Sequence, residues 1–381
     1  MSRLHRSRTR LALTSLAAVA LAVTACSSSS GGGKATPTSG RSGGNAAGIA
    51  AAKQALVPYV GHPSAFPGTQ KLAKLPPKGS KFVFLQCSAP VCAIFAQLMA
   101  APAKQLGVDF QTVNSGSSAT TSQAAAATAL SNKPAAVLVG ASDPQLYGDY
   151  LHKLVNAGSV VAGGGTVGGT SYGVQEAVGG EHSVMLVGSL LADWVTAHKG
   201  PSANVVFFGT PQLTFSKGVQ ASFAKELPQR CPGCKADYQA LSITTFGTTA
   251  PNQVISYLQS HPKTDTVVFA SMEGATGLAA ALRNAHVSPT TIGFAPTPSN
   301  LQDIKQGGLT AGLALDFNVQ VWMQMNLAAR LIAHQTTSVS NLEVDLQFLA
   351  KSDLAGKDYP QGWTGYPDVA QRFAKLWGLA G

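Results

Sequence analysis

The sequence lacks the charge pattern of a nucleic-acid-binding protein. Charged residues make up only 12% of its 381 residues, and after the N-terminal region no run of lysine or arginine is interleaved with aromatic residues. The formal net charge of +10 falls to about +6 when Arg3, Arg6, Arg8 and Arg10 are excluded as parts of a cleaved signal. This excess is mild and dispersed, so we expect no nucleic-acid partner.

Metal-binding and membrane-spanning patterns are missing as well. The eight histidines form no H-x-x-x-H pair and no Cys/His cluster at zinc spacing, so we expect no metal site. The apolar run over residues 11–25 is shorter than the roughly 20 residues that a membrane-spanning helix needs. We therefore interpret this run as part of a signal and not as a permanent anchor.

The N-terminus has the layout of a secretory signal, with a basic segment, an apolar segment and small residues before a cysteine. Val23-Thr24-Ala25-Cys26 resembles the lipobox of bacterial lipoproteins. This resemblance implies that residues 1–25 are a lipoprotein signal peptide and that acyl chains on Cys26 hold the protein to the outer face of the bacterial cytoplasmic membrane. The alternative is an ordinary signal peptide with a chance cysteine.

A polar stretch rich in glycine and serine follows Cys26 and cannot bury enough apolar surface to fold. The chain stays rich in Pro, Ala and Lys up to about Lys78. We therefore predict a flexible lipidated tether over residues 26–77. About 300 residues remain, which is enough for two lobes.

The four other cysteines suggest disulfides, because their number is even and an exported protein meets an oxidising compartment. Cys87 with Cys92 and Cys231 with Cys234 are the candidate pairs. The second pair also fits the C-x-x-C pattern of thiol oxidoreductases, whose first cysteine begins a helix after a strand. Here a predicted helix precedes the pair and a predicted strand follows it, which favours a structural turn.

Short apolar strands alternate with helical patterns from Lys81 onward, which is typical of parallel sheets covered on both faces. In such sheets the ligand lies at the carboxyl ends of the strands. The predicted strands include KFVFL (81–85), DFQTV (109–113), AAVLV (135–139), SVVA (159–162), ANVVFF (203–208), DYQALSI (237–243), DTVVFA (265–270), TIGF (291–294) and LTAGLAL (309–315).

The lipobox, the tether and the two successive α/β halves resemble a type I periplasmic binding protein, the ribose-type solute receptor of an ABC importer. Its clearest signs are SNKPAAVLVGASDPQL, the Ser216-Lys217-Gly218 helix start, GATGLAAAL and TIGFAPTPSNLQDIKQGGLTAGLAL. The resemblance implies two Rossmann-like lobes with parallel sheets joined by a multi-strand hinge. The first lobe would comprise 78–180 plus 317–342, and the second 181–316 plus 343–381.

The chain departs from the family at positions that usually hold sugar hydroxyls. Phe215 stands where an arginine is usual, and Ser271-Met272 replaces an Asn-Asp pair. Ala295 and Gly165 each replace an aspartate. Leu315 replaces the usual hinge glutamine, whereas Asp143, Phe246 and Asp316 are retained.

These departures favour a ligand poorer in hydroxyls than ribose, because a hydroxyl buried without a partner costs on the order of 1–3 kcal/mol. The alternative is an alignment displaced by a few residues, with other side chains supplying the lost contacts. The resemblance implies ligand contacts from Ser88, Asp143 and Gly165 in the first lobe, from Phe215, Phe246, Ser271 and Met272 in the second, and from Asp316 at the hinge.

We therefore predict a monomeric solute-binding lipoprotein, without cofactor or catalysis, that presents its ligand to an ABC permease and a separate ATPase. One alternative is a receptor that signals through a membrane partner. A third reading is a secreted hydrolase, since residues 169–173 fit the G-x-S-x-G elbow around Ser171. Residues 163–168 also fit G-x-G-x-x-G, but they do not open a predicted helix.

Overall fold

A computed structural model describes residues 40–63 and 65–379 of the chain. The predicted signal peptide, the lipidation site Cys26 and residues 27–39 of the predicted tether lie outside the described residues. No helix within the described ranges has the length and apolar character needed to cross a membrane.

The described chain folds into two α/β lobes. The order of elements up to the end of the first sheet is α1 (Gly40–Leu56), β1 (Lys81–Cys87), α2 (Pro90–Leu106), β2 (Asp109–Gly116), α3 (Ala119–Ser131), β3 (Ala136–Val139), α4 (Tyr150–Asn156), β4 (Val160–Gly164) and β5 (Glu176–Val178). The first lobe has a parallel sheet in the order β2-β1-β3-β4-β5.

The second lobe repeats this plan. The remaining elements belong to the second lobe and the hinge, except that α10 and α11 return to the first lobe: α5 (Glu181–Lys199), β6 (Asn204–Gly209), α6 (Thr214–Arg230), β7 (Lys235–Ala240), α7 (Ala250–Ser260), β8 (Thr266–Phe269), α8 (Leu278–Ala285), β9 (Thr290–Gly293), α9 (Pro298–Gln306), β10 (Ala311–Leu315), α10 (Phe317–Ile332), β11 (Leu346–Ala350) and α11 (Val369–Leu376). The second sheet is parallel in the order β7-β6-β8-β9. This arrangement confirms the predicted fold class.

Both faces of the first sheet are covered, as its apolar strands predict. Successive side chains of a strand point to opposite faces, so Phe82 and Phe84 of β1 join one apolar cluster and Val83 and Leu85 join the other. The first cluster includes α2 and α10, and the second includes α3. A strand without a solvent-facing side therefore reads as a continuous apolar run.

The hinge contains a short antiparallel pair, β10 and β11, and a single bridge links Phe294 beside β9 to Leu313 of β10. β10 leads through Asp316 into α10, which packs on the first lobe. Asp316 caps α10, since its side chain accepts a hydrogen bond from the backbone N–H of Val319 at 3.0 Å. The crossing from the second lobe to the first is thus fixed at a helix start.

The predicted tether is wrong for part of its length. Residues 40–56 form α1, which packs on α5 and α6 of the second lobe, with Ala52 and Leu56 buried. Further along, Asn341 Oδ1 accepts hydrogen bonds from the backbone N–H groups of Thr69 and Gln70 at 2.8 and 3.0 Å. Alanines and scattered apolar residues suffice for docking because the folded lobes provide the surface against which they pack.

The predicted lobe boundaries also need correction at the C-terminus. β11 and Trp363 belong to the second lobe, but Tyr366, Phe373 and Trp377 pack in the core of the first lobe around Trp322. The indole N–H of Trp377 donates a 2.9 Å hydrogen bond to Asn326 Oδ1. The chain therefore crosses the lobe junction once more, near residues 364–366, which the sequence pattern did not indicate.

Candidate ligand-binding site between the lobes

A small cavity of about 80 Å³ lies at the junction of the two lobes. This volume accommodates a few water molecules or one small molecule. Its walls are mostly apolar. They are formed by Cys87, Val91, Cys92, Phe95, Ala141, Gly164, Gly165, Gly179, Ser183, Val184, Val187, Leu213, Phe215, Ser271, Glu273, Phe294, Ala295, Leu315, Phe317, Gln320, Val344 and Leu346.

The lobes touch directly beside this cavity, so the structure is a closed one. Thr214, at the start of α6, donates from its backbone N–H to the carbonyl oxygen of Ala141 at 3.1 Å. Its Oγ1 lies 3.3 Å from the same carbonyl oxygen and accepts from the backbone N–H of Val167 at 3.4 Å. Ser142 and Leu213 form an isolated bridge at the same place.

A second contact between the lobes joins Glu273 to the start of α2. Glu273 Oε1 accepts a 2.7 Å hydrogen bond from the backbone N–H of Val91. The N-cap residue of α2 is Ala89, whose side chain cannot satisfy the free N–H groups of the first turn. A carboxyl group from the other lobe performs that role here, and the helix dipole favours its negative charge.

Glu273 is buried and only partly satisfied. Its side chain is 3% exposed, and Oε2 has no hydrogen-bond partner among the described residues. Burial raises the pKa of Glu273 to about 7, against the opposing effect of the Val91 N–H. A second cavity-lining residue, Gln320, has the same exposure and an Oε1 that is likewise unpartnered within the described chain.

Two pairs of aromatic rings contribute to the walls, one pair from each lobe. Phe95 and Phe317 belong to the first lobe, and their ring centroids are 5.1 Å apart in an edge-on arrangement. Phe215 and Phe294 belong to the second lobe and are 5.7 Å apart in the same arrangement. The rings of each pair are therefore held by each other as well as by the elements that carry them.

Both candidate cysteine pairs are disulfide-bonded. Cys87–Cys92 joins the end of β1 to the first turn of α2, and both cysteines line the cavity. Cys231–Cys234 closes the turn between α6 and β7, far from the cavity lining. The helix precedes and the strand follows this second pair, as predicted for a structural turn.

Three of the eight predicted ligand contacts line the cavity: Gly165, Phe215 and Ser271. Ala295 and Leu315, two further positions where the chain departs from the family pattern, line it as well. Gly165 has a φ of +65°, a backbone conformation that a side chain would strain. Five of the six positions at which the chain departs from the family pattern therefore line one mostly apolar cavity.

The predicted contacts in the first lobe and at the hinge are placed differently. Ser88 is exposed, and the neighbouring disulfide faces the cavity in its place. Asp143 caps a short 3-10 helix by accepting from the backbone N–H of Gln145 at 3.0 Å. Asp316 lies at the hinge as expected, but its two oxygens are occupied by hydrogen bonds to the protein and it does not line the cavity.

The other two predicted contacts belong to the second lobe and lie behind or beside the cavity wall. Met272 is fully buried against Gly293 and Gly312, because the short 3-10 turn after β8 directs it into the core. Phe246 lines a neighbouring groove between the lobes. This outer groove is lined by Pro90, Val91, Ile94, Phe246, Gly247, Glu273, Thr276, Thr297, Pro298 and Ser299.

Val91 and Glu273 line both the cavity and the outer groove, so their hydrogen bond stands between the two spaces. Glu273 and Gln320 are not among the contacts predicted from the sequence. Glu273 had a usable signal, since it is the first acidic residue after the carboxyl end of β8. Gln320 had no such signal, because the sequence of an apolar helix does not show which way its glutamine side chain faces.

The G-x-S-x-G segment around Ser171 does not have the geometry of a nucleophile elbow. Gly169–Tyr172 forms a 3-10 turn between β4 and β5 and not the strand, turn and helix of a nucleophile elbow. His152 Nε2 lies 3.2 Å from the backbone oxygen of Ser171, so this histidine contacts the main chain of the turn. No cluster of three potential metal ligands occurs within the described ranges.

Residues 82–336 match the periplasmic binding protein domain, which is two thirds of the chain. The protein therefore belongs to the periplasmic binding protein domain family, a family of extracytoplasmic proteins, as the sequence resemblance implied. A search of the curated proteins gives no significant match.

Solved structures agree with the fold. The myo-inositol binding protein of Caulobacter is 20% identical with a TM-score of 0.64, covering 74% of this chain and 98% of its own. An ABC transporter solute binding protein of Agrobacterium vitis with bound allitol is 19% identical (TM-score 0.63, 72% and 96% covered). A glucose-galactose binding protein of Geobacillus stearothermophilus is 15% identical (TM-score 0.63, 73% and 100% covered).

Proposed function

We propose that this protein is a solute-binding lipoprotein of an ABC importer, anchored through Cys26, that captures a small ligand between its two lobes. The closed cavity at the lobe junction is the observation that carries the proposal. A permease and its ATPase would receive the ligand from the closed form. The cycle requires no covalent chemistry.

Closure would follow from differential affinity. A ligand that touches both lobes stabilises the closed state by the free energy of the contacts that the open state lacks. The hydrogen bonds that Thr214 makes across the lobe junction, here called the rim of the cleft, would add to these contacts, as would the Glu273–Val91 bond. Because such bonds exchange with water on opening, each contributes only about 0.5–1.5 kcal/mol.

The ligand we propose is poorer in hydroxyl groups than ribose. Two of the structural relatives named above carry myo-inositol and allitol, which have a hydroxyl on every carbon. Few polar side chains line the cavity of this chain, chiefly Ser183, Ser271, Glu273 and Gln320. A polyol placed there would bury several hydroxyls without partners.

The ligand class is tested by a thermal-shift screen of sugars, polyols, nucleosides and small aromatic compounds, followed by calorimetry. We expect compounds with an apolar body to stabilise the protein and simple pentoses and hexoses to have little effect. Tight binding of a simple pentose or hexose would contradict the apolar assignment while leaving solute capture intact.

Capture itself is tested with spin labels on the exposed positions Lys104→Cys and Lys225→Cys, one in each lobe, in a Cys26→Ser background. A ligand should narrow the interlobe distance distribution and shift it toward the closed distance. If compounds that stabilise the protein leave this distribution unchanged, closure around ligand is wrong.

Lipidation is tested separately by metabolic labelling with an alkyne-tagged fatty acid. Wild-type protein and a Ser27→Ala control should incorporate the label and fractionate with membranes. The Cys26→Ser variant should lose both properties. Equal labelling of the Cys26→Ser variant would refute the anchor.

A further inference from the structure

The cavity lining contains an acidic residue but no basic one. Glu273 is the single ionisable residue of the lining apart from the bonded Cys87 and Cys92, and no lysine, arginine or histidine lines the space. Its Oε2 lacks a partner among the described residues while Oε1 is held by Val91. A buried carboxylate with a free oxygen is costly unless a cation or a hydrogen-bond donor meets it.

The remaining walls fit the same kind of partner. The faces of aromatic rings carry partial negative charge and attract cations. Phe95 and Phe317 from one lobe and Phe215 and Phe294 from the other line the cavity together with Glu273. Because the rings come from both lobes, a cation held among them would contact both and favour closure.

An anionic ligand meets the opposite conditions. No cationic side chain of the lining is available to pair with a carboxylate or phosphate, and the Glu273 carboxylate would repel it. A neutral ligand could donate a hydrogen bond to Glu273 but would leave the charge of the ionised carboxylate uncompensated. The Glu273 carboxylate, its unpartnered Oε2 and the four phenylalanine rings thus all favour a cationic ligand.

We propose that the ligand of this cavity is a small organic cation, an ammonium group on an apolar body, bound through Glu273 and the four phenylalanines. This inference rests on the proposed function, since it takes the cavity as the ligand site. It adds the sign of the ligand's charge and names Glu273 as the residue that selects it.

Matched molecules test the sign of charge. Propyl, cyclohexyl and benzyl frames would each be offered as the amine, the alcohol and the carboxylate, and binding would be measured by thermal shift and calorimetry at about pH 8, above the pKa of Glu273. We expect at least one frame to stabilise the protein as the amine, its alcohol to bind more weakly and its carboxylate not to bind. A panel in which no amine outperforms its alcohol and carboxylate overturns the proposal.

The residue assignment is tested with Glu273→Gln, which keeps an oxygen to accept from Val91 but removes the charge. We expect affinity for the best amine to fall about tenfold or more, with the affinity for the matched alcohol nearly unchanged. Glu181→Gln, an exposed residue at the start of α5, is the control and should leave both affinities as they were. Unchanged amine binding by Glu273→Gln overturns the proposal.

These outcomes separate the inference from the proposed function. If alcohols or sugars bind and close the lobes while amines do not, the cation is wrong and solute capture stands. If amines bind without changing the interlobe distance, the cation assignment stands and the closure mechanism fails.

Discussion

Two buried carboxyl groups lie near the lobe junction, one in the hinge and one in the cleft, and they are satisfied very differently. Asp316 accepts from the backbone N–H groups of Val319 and Gly365 at 3.0 and 2.8 Å and from Thr364 Oγ1 at 2.8 Å. Glu273 accepts from the single N–H of Val91 and keeps one oxygen without a partner among the described residues. We infer that the hinge carboxyl serves the structure, whereas the cleft carboxyl is available to a ligand.

Burial raises the pKa of both groups, to about 6 for Asp316 and about 7 for Glu273. A raised pKa therefore does not distinguish the structural role from the ligand-binding role. The number of protein donors that each carboxyl group accepts from distinguishes them. A buried carboxyl group that accepts hydrogen bonds from three protein donors has a structural role, whereas one that accepts from a single donor is a candidate binding group.

The largest expected effect is on stability, from Asp316→Ala. This change leaves three donors without their acceptor, two of them buried and one half-buried, and two of the three belong to the segment that crosses back to the first lobe. We expect the free energy of unfolding to fall by about 3–5 kcal/mol in urea denaturation. Asp143→Ala, which removes one cap bond of a short helix, should cost only about 1 kcal/mol. Similar losses in both variants would break the comparison.

The two disulfides should contribute similar stability but differ in their effect on binding. Each closes a short loop, for which chain entropy predicts about 2 kcal/mol. Replacing Cys87 and Cys92 by serine should also weaken the best compound of the solute screen, because this bridge fixes the turn that carries Val91. The matched change at Cys231 and Cys234 should leave affinity unaltered. Equal affinities in both double variants would contradict a role of the first bridge in the cleft.

Glu273→Gln should flatten the pH dependence of stability. The pKa of Glu273 rises from its ordinary value of 4.5 to about 7 on folding, so the folded state binds more protons between these values. Its ionisation therefore makes the wild-type protein less stable as pH rises through this window. We expect the variant to be more stable than wild type by up to about 3 kcal/mol at about pH 8 and equal to it at about pH 4. Urea titrations at several pH values measure this, and parallel profiles would contradict it.

The smallest effect should come from the rim of the cleft. Thr214→Val removes the Oγ1 contacts to Ala141 and Val167 while keeping the backbone bond. We expect the ligand-free closed state to lose about 1 kcal/mol, seen as a larger open population with the interlobe spin labels. Thr248→Val, whose hydroxyl bonds only within its own turn, is the control. No change in the distance distribution would show that the rim does not hold the lobes together.

Much of the fold could be predicted because its signals are local. The central strands of the two sheets are continuous apolar runs, and Ser118 and Thr297 cap their helices within three residues. The docking of α1 and α11 could not be predicted in this way. Their partners are distant in sequence, and their own composition is compatible with a solvated segment as well as with a packed one.

The residues of the candidate site could likewise be predicted only in part from the sequence. The sequence resemblance identified Phe215, Ser271 and Gly165, since the family pattern assigns each to the carboxyl end of a strand or the start of a helix. It assigned Ser88, Asp143, Phe246 and Met272 to the ligand as well, and none of these four residues lines the cavity. Position along a strand predicts the region of a residue but not the direction of its side chain.

The sequence by itself determined that this chain forms two α/β halves with paired cysteines, and that the usual polar contacts of the cleft are replaced by apolar residues. Only the tertiary structure decided which carboxyl meets the cavity. Glu273 and Val91 are 182 residues apart, and their contact exists because two separately folded lobes close on each other. Local patterns reflect the burial of each element within its own lobe, whereas a site between lobes depends on how the two bodies meet.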